Sequence, residues 1–99
     1  MAVAMFMSWA GVTAEQYDAV RKLVNWEGDP APGGLFHVAA TDEHGLHVTD
    51  IWESPEAFQT FVDDRLMPGV AQLGITSQPV VEVLPIHALF TPGFKPTAP

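Results

Sequence analysis

Two stretches of this chain are apolar on both sides of an extended backbone, and this constrains its architecture more than any other feature. Val3–Trp9 reads V-A-M-F-M-S-W. Side chains alternate between the faces of a strand, so one face carries Val3, Met5, Met7 and Trp9 and the other Ala4, Phe6 and Ser8. Pro79–Phe90 behaves the same way, with Val83, Pro85, His87 and Leu89 on one side and Leu84, Ile86, Ala88 and Phe90 on the other. A sheet with one wet face alternates apolar with polar, so strands apolar on both faces need a cover on each. The helices readable in the sequence cover one face. The expectation is that a second copy of the chain covers the other, giving an obligate homodimer with an enclosed apolar pocket.

The composition agrees with a chain that has little free surface. Charged residues make up 16% of the 99 residues and hydrophobic ones 47%, against a charged share of about 25% in average globular domains. Net charge is −8, from 12 acidic and 4 basic side chains. So few cations cannot track a phosphate backbone or an anionic bilayer, which argues against nucleic acid and membrane as partners. The acidity serves to keep an apolar dimer soluble. There is no cysteine, which removes disulfides, thiolate nucleophiles and thiolate metal sites. The apolar opening Met1–Trp9 has no basic flank and soon meets Glu15. It is too short for a signal peptide or a membrane span and reads as a strand of a cytoplasmic protein.

The element order follows from turn and cap chemistry. A first strand spans about Val3–Trp9 and turns at Gly11. Thr13-Ala14-Glu15-Gln16 fits a capping box, with Val12 and Tyr17 placed as its hydrophobic staple. Tyr17, Val20, Leu23 and Val24 then form a helical stripe, predicting a helix over Ala14–Trp26. Gly28–Gly34, with two prolines and three glycines, is a loop. Leu35–Ala40 and Leu46–Trp52 read as two strands joined by a polar hairpin loop, Thr41–Gly45. Ser54-Pro55 starts a second helix, Ser as N-cap and Pro at the first helical position. Its stripe is Phe58, Phe61, Val62 and Leu66, and Pro68 breaks or restarts it. A last strand spans about Val80–Phe90, where Pro85 argues for an edge position or a bulge. The order β-α-β-β-α-β, strands alternating with helices around one central hairpin, predicts an α+β ferredoxin-like antiparallel sheet. Its strand order would be 4-1-3-2, with both helices on one face. Residues 1–91 form the single domain of this reading, and 92–99 a Pro-rich C-terminal tail.

With that order in place, several segments resemble a known family. They are Gly34-Leu35-Phe36-His37-Val38, then Gly45-Leu46-His47-Val48-Thr49-Asp50-Ile51-Trp52-Glu53-Ser54 leading into Ala57-Phe58 and Phe61, and Pro85-Ile86-His87. Over about Met5–Phe90 the chain resembles the dimeric α+β barrel superfamily, and within it the antibiotic-biosynthesis-monooxygenase-like proteins. Asp50–Ser54 is the most specific part, similar to the strand-to-helix junction of those proteins. The resemblance implies a dimer and a place in secondary metabolism. Some members oxidise aromatic polyketide intermediates with no cofactor; others degrade haem, cyclise or decarboxylate. The oxygenases resemble one another in a Trp surrounded by Asn, Tyr and Arg. Trp52 matches that Trp, whereas the chain's only Asn is Asn25 and its only Tyr is Tyr17.

Residue chemistry narrows the candidates for a site. His44 lies in the hairpin loop, while His37, His47 and His87 lie in strands. A five-residue hairpin loop sets His37 opposite Thr49 and Ala39 opposite His47, so His37 and His47 share a face. His37 and His87 are the candidate catalytic groups, as general base and proton shuttle, because histidine titrates near neutral pH. Their alternative role is as hydrogen-bonded core or interface histidines. No H-x-H or H-x-x-x-H spacing supports a metal site, so neither metal nor cofactor is expected. Trp9 and Trp52, at strand ends, are candidates for a pocket mouth, with Phe58, Phe61 and His47 lining the substrate site and Arg65 as an anion anchor at its edge. Asp50, in an otherwise apolar strand, needs a partner if buried, and Arg65 is a candidate for it. The functional expectation is a small cofactor-independent monooxygenase- or cyclase-like enzyme acting on an aromatic or polyketide-type molecule. A non-catalytic small-molecule binder or an accessory dimer of the same fold is the alternative.

Overall fold

The computed structural model describes residues 1–94, so residues 95–99 of the expected tail lie outside the described residues. The elements run β1 (Val3–Ala10), α1 (Ala14–Val24), β2 (Gly34–Asp42), β3 (Gly45–Trp52), α2 (Pro55–Phe61), a π-helical turn (Val62–Leu66), α3 (Met67–Gln72) and β4 (Val80–Pro85). The four strands form one antiparallel sheet in the order β2-β3-β1-β4, the expected ferredoxin-like arrangement.

Helix α1 starts as its sequence requires. Thr13 accepts from the Gln16 backbone N–H at 3.1 Å, and the Thr13 N–H donates to Gln16 Oε1 at 3.0 Å, so two orphan donors are satisfied reciprocally. The helix ends at Val24, short of the expected Trp26, because Asn25 turns left-handed (φ 60°) and caps it. At the start of α2 the Ser54 hydroxyl accepts from the Ala57 N–H at 3.1 Å. Pro68 does not end this helix. Its ring cannot sit over an unbroken α-helical turn, and the preceding turn widens instead, with the Met67 N–H bonding back to the Val62 carbonyl. Such a π-turn rotates the side chains around it.

Both helical segments pack on the face carrying Val3, Met5, Met7 and Trp9 of β1 and Leu46, Val48, Asp50 and Trp52 of β3, all of which are buried. Met5 is 1% exposed, and full burial of a side chain of this size is worth about 1.5–3 kcal/mol. The opposite face, with Phe6 (42% exposed), Val38 (47%) and Leu84 (46%), is open. Two expectations change here. The last strand stops at Pro85, which sits on the edge strand β4 opposite Val3, so His87 lies beyond the sheet. The hairpin loop is two residues, Glu43 and His44, because Asp42 pairs with Gly45. Asp42 Oδ1 accepts from the His44 N–H at 2.8 Å and the Gly45 N–H at 3.1 Å, closing the turn on its own side chain. The pairing is therefore shifted by one residue: His37 lies opposite Asp50, and Ala40 opposite His47. A shift of one moves side chains to the other face, and His37 and His47 sit on opposite sides of the sheet.

Candidate functional site

Between the sheet and the helices lies a cavity of about 260 Å³, near the lower end of small-molecule sites, which start at about 300 Å³. Its walls are mostly apolar. Met5, Met7, Trp9 and Val48 form the sheet side, Val20, Phe58, Phe61 and Leu66 come from the helices, and Trp26, Pro30 and Ala31 come from the loop after α1. Polar groups enter from one side only: Tyr17, His37 and Asp50.

Those three, with Trp52, form one chain of hydrogen bonds. The Trp52 indole N–H donates to Asp50 Oδ2 at 3.0 Å. Asp50 Oδ1 lies 2.6 Å from His37 Nδ1, and His37 Nε2 lies 2.7 Å from the Tyr17 hydroxyl. A carboxylate offers only acceptors, so the proton of the His37 ring sits on Nδ1, pointing at Asp50. Nε2 is left with its lone pair, and Tyr17 O–H donates to it. Asp50 is 5% exposed, while the His37 side chain retains 34% exposure. The carboxylate is thus the buried anchor and the imidazole the working end. No buried side-chain nitrogen or oxygen lacks a partner among the described residues.

Aromatic rings fix the Tyr17–His37 end of this chain. The Tyr17 and His37 rings are stacked, 8° apart in plane with centroids at 5.9 Å. Trp26 tilts against both, at 5.8 Å and 5.3 Å, and meets Phe61 edge-on at 6.3 Å. Burial pushes the Tyr17 phenol up to about 12, with the nearby Arg21 guanidinium opposing the shift. The phenol therefore stays protonated through the whole neutral range.

The candidate residues fall into two groups. His37, Trp9, Trp52, Phe58 and Phe61 line the cavity; His47, His87 and Arg65 do not. Trp9 and Trp52 are each 4% exposed and form its walls, not its mouth. The Trp9 indole N–H is used inside the protein, donating to the Ser77 carbonyl at 2.9 Å. His47, on the open face, lies 3.0 Å from Asp42 Oδ2 and 3.4 Å from Ser8 Oγ. Its position follows from the two-residue turn. His87 follows β4 and is exposed. Arg65 is not the partner of Asp50. It leaves the π-turn to donate to the Val24 carbonyl at 3.0 Å and the Asp29 carbonyl at 2.7 Å, and its guanidinium lies 5.6 Å from the centre of the Phe61 ring. It pins the loop that carries Trp26, Pro30 and Ala31 over the cavity.

Two features of the site are absent from the sequence reading: the pairing of Asp50 with His37, and the Tyr17 hydroxyl on His37. The available signal was Asp42 three residues before Gly45, a turn that closes on the Asp side chain and sets the register. Among the described residues no group of three His, Asp or Glu side chains is gathered as a metal-binding cluster, and no helix is long and apolar enough to cross a membrane.

No protein-family model matches this chain, and no curated protein does. Solved structures do. SnoaB from Streptomyces nogalater, a cofactor-independent oxygenase, superposes with a TM-score of 0.60 at 13% identity, covering 94% of this chain and 97% of that one. NE2512 from Nitrosomonas europaea, a protein of unknown function, gives 0.68 at 16% identity over 94% and 96%. A Chloroflexus aurantiacus protein described as a candidate antibiotic biosynthesis monooxygenase gives 0.59 at 17% identity over 91% and 98%. At these identities the likeness is one of fold: the chain has the antibiotic-biosynthesis-monooxygenase-like fold.

Proposed function

We propose that this protein is a small oxygenase-like enzyme that deprotonates a flat aromatic or polyketide-type molecule in the cavity, with His37 as general base. The observation that carries the reading is the pairing of His37 Nδ1 with the buried Asp50 carboxylate, at 2.6 Å. It orients the ring, leaves Nε2 as the acceptor, and provides a counter-charge when the imidazolium forms. Apolar walls suit a planar substrate and its delocalised anion.

The reaction needs dioxygen as co-reactant and no bound cofactor. The anion donates an electron pair from carbon to one oxygen atom, forming a C–O bond and a hydroperoxide once protonated. Loss of water from that hydroperoxide leaves a carbonyl, so a CH₂ group and O₂ become C=O and H₂O. The protein's contribution is the first proton transfer and the dry surroundings of the anion.

The assay is oxygen uptake with a panel of hydroxylated anthrones and naphthols. His37→Gln keeps size and hydrogen-bonding capacity, and turnover is expected to fall by about 10²–10⁴ with the fold retained. Binding without oxygen uptake in the unaltered protein would overturn the catalytic reading in favour of a small-molecule binder.

The same reading includes a homodimer. The open sheet face presents Phe6, Val38, Val80 and Leu84, each more than 40% exposed, in a chain with few charges. A second copy laid on that face covers it, and obligate interfaces of this kind exceed roughly 2,000 Å² in total. Sedimentation equilibrium is expected to show a dimer at micromolar concentration; a stable folded monomer would refute this.

A further inference from the structure

His37 Nε2 is the nitrogen a base would use, and it is already engaged. In the tautomer Asp50 imposes, its one lone pair points at the Tyr17 hydroxyl 2.7 Å away. A substrate therefore reaches the base by displacing Tyr17 or by working through it. Displacement is obstructed. Tyr17 belongs to the first turns of α1, immediately after the capping box, and its N–H bonds to the Thr13 carbonyl at 2.9 Å. Its ring packs against both His37 and Trp26, which also meet each other, all three centroids lying 5.3–5.9 Å apart. Its oxygen spends its proton on His37 and keeps its lone pairs for another donor, while its side chain lines the cavity.

We propose that Tyr17 is a catalytic residue that relays the substrate proton to His37, and that the substrate group it takes that proton from is an uncharged phenol or enol hydroxyl. This rests on the reading of His37 as the base. In the step, the substrate O–H bond breaks and its electron pair stays on the substrate oxygen. The proton passes to Tyr17 Oη as the phenolic proton of Tyr17 passes to His37 Nε2. Tyr17 ends neutral, the substrate ends as the anion, and the imidazolium ends paired with Asp50. With its pKa at about 12, Tyr17 conducts the proton without holding the negative charge itself. Hydroxyl groups suit such a relay because each is donor and acceptor at once. A carboxylate ligand has no proton to give, and it would bring a second negative charge toward buried Asp50, which such a site disfavours.

The test uses 4-nitro-1-naphthol, a flat two-ring phenol whose anion absorbs in the visible, titrated with pH in the presence of saturating protein. Bound to the unaltered protein, it is expected to ionise at least one pH unit lower than when free, a tenfold shift toward the anion. Tyr17→Phe keeps the ring and removes only the hydroxyl; the probe is expected to bind, and the shift to shrink below threefold. His37→Gln should abolish it as well. If Tyr17→Phe retains the full shift while His37→Gln loses it, the relay is refuted and the base stands. If the unaltered protein shows no shift, both fall. A second measurement needs no variant. The rate of anion formation in mixtures of H₂O and D₂O should bow downward with deuterium fraction, as two protons in flight require; a straight line would also refute the relay.

Discussion

Replacing Asp50 by Asn tests the polar chain at its buried centre. The two side chains are nearly the same size, so packing is preserved and only the hydrogen-bond pattern changes. Asp50 accepts twice, from Trp52 Nε1 at 3.0 Å and from His37 Nδ1 at 2.6 Å. Asn has one acceptor oxygen and one donor nitrogen in those places. The Trp52 indole is 4% exposed and can only donate, so the amide oxygen must face it. The amide nitrogen then faces His37 Nδ1, which has to become the acceptor, and the ring proton moves to Nε2. The base now presents a proton where it needs a lone pair. Bonds to a charged group are worth about 1.5–3 kcal/mol and neutral ones about 0.5–1.5 kcal/mol. Exchanging two of the first kind for two of the second, with relief of a buried charge, is expected to cost about 1–3 kcal/mol. That corresponds to roughly 5–20 °C in Tm for a domain of this size. Turnover should fall much further, on the order of 10⁴, the cost of the wrong tautomer in a comparable Asp–His pair. The checks are oxygen uptake per folded molecule and imidazole ¹⁵N shifts, which distinguish Nδ1–H from Nε2–H. Asp50→Asn with unchanged turnover, or an unaltered protein whose His37 carries its proton on Nε2, would refute the reasoning.

Two further outcomes follow from the same structure. Because burial raises the Tyr17 phenol to about 12 from an unfolded value near 10, the folded chain holds that proton in a window where the unfolded chain has lost it. Stability is unaffected below about pH 10 and falls as pH rises from there through about 12; denaturant titrations should show this loss and show it reduced in Tyr17→Phe, and since Tyr17 is the only tyrosine, phenolate absorbance reads its midpoint directly. Arg65→Leu leaves the Val24 and Asp29 carbonyls without their donor, at a cost of about 1–2 kcal/mol; amide exchange should quicken over residues 25–33 and KM should rise more than kcat falls, whereas unchanged exchange there would show that the loop does not depend on Arg65.

The fold was legible because its signals are local and agree with one another. The Thr13–Gln16 capping box, Ser54-Pro55, and the apolar alternation of β1 each name an element independently, and the element order then leaves few topologies. At Pro68 the restart is the outcome: a π-turn widens the chain before it and α3 begins at Met67 with Pro68 in its first turn, while Phe58, Phe61, Leu66 and Val70 keep one face against the sheet. Where the reading departed from the structure, a local rule met a tertiary one. Val80–Phe90 reads as one long strand, but β4 ends at Pro85, and beyond it the Ile86 N–H still reaches back to the Ala2 carbonyl at 3.2 Å.

The site was less legible, and one residue of register accounts for most of the difference. A five-residue hairpin places His37 beside His47, a reading that suggests paired histidines. The two-residue turn places His37 opposite Asp50, and the same residues become a base with its orienting carboxylate. The turn is decided by Asp42, which closes on two backbone N–H groups. Tyr17 could not be found from its own surroundings, because a staple position explains an apolar ring there completely. Only its hydroxyl is left over, and that group acquires a meaning once β2 is in register and His37 Nε2 faces helix α1. Trp52 shows the converse. Its place at a strand end suggests a pocket mouth, but the structure buries the ring in the wall and uses its N–H to hold Asp50. A polar atom on a large apolar side chain thus says little about where the side chain lies and much about what must lie beside it: Trp9 found Ser77, Trp52 found Asp50, and Tyr17 found His37. Two of those three bonds belong to one continuous chain that opens into the cavity, which is why the chemistry is assigned to that side of the sheet.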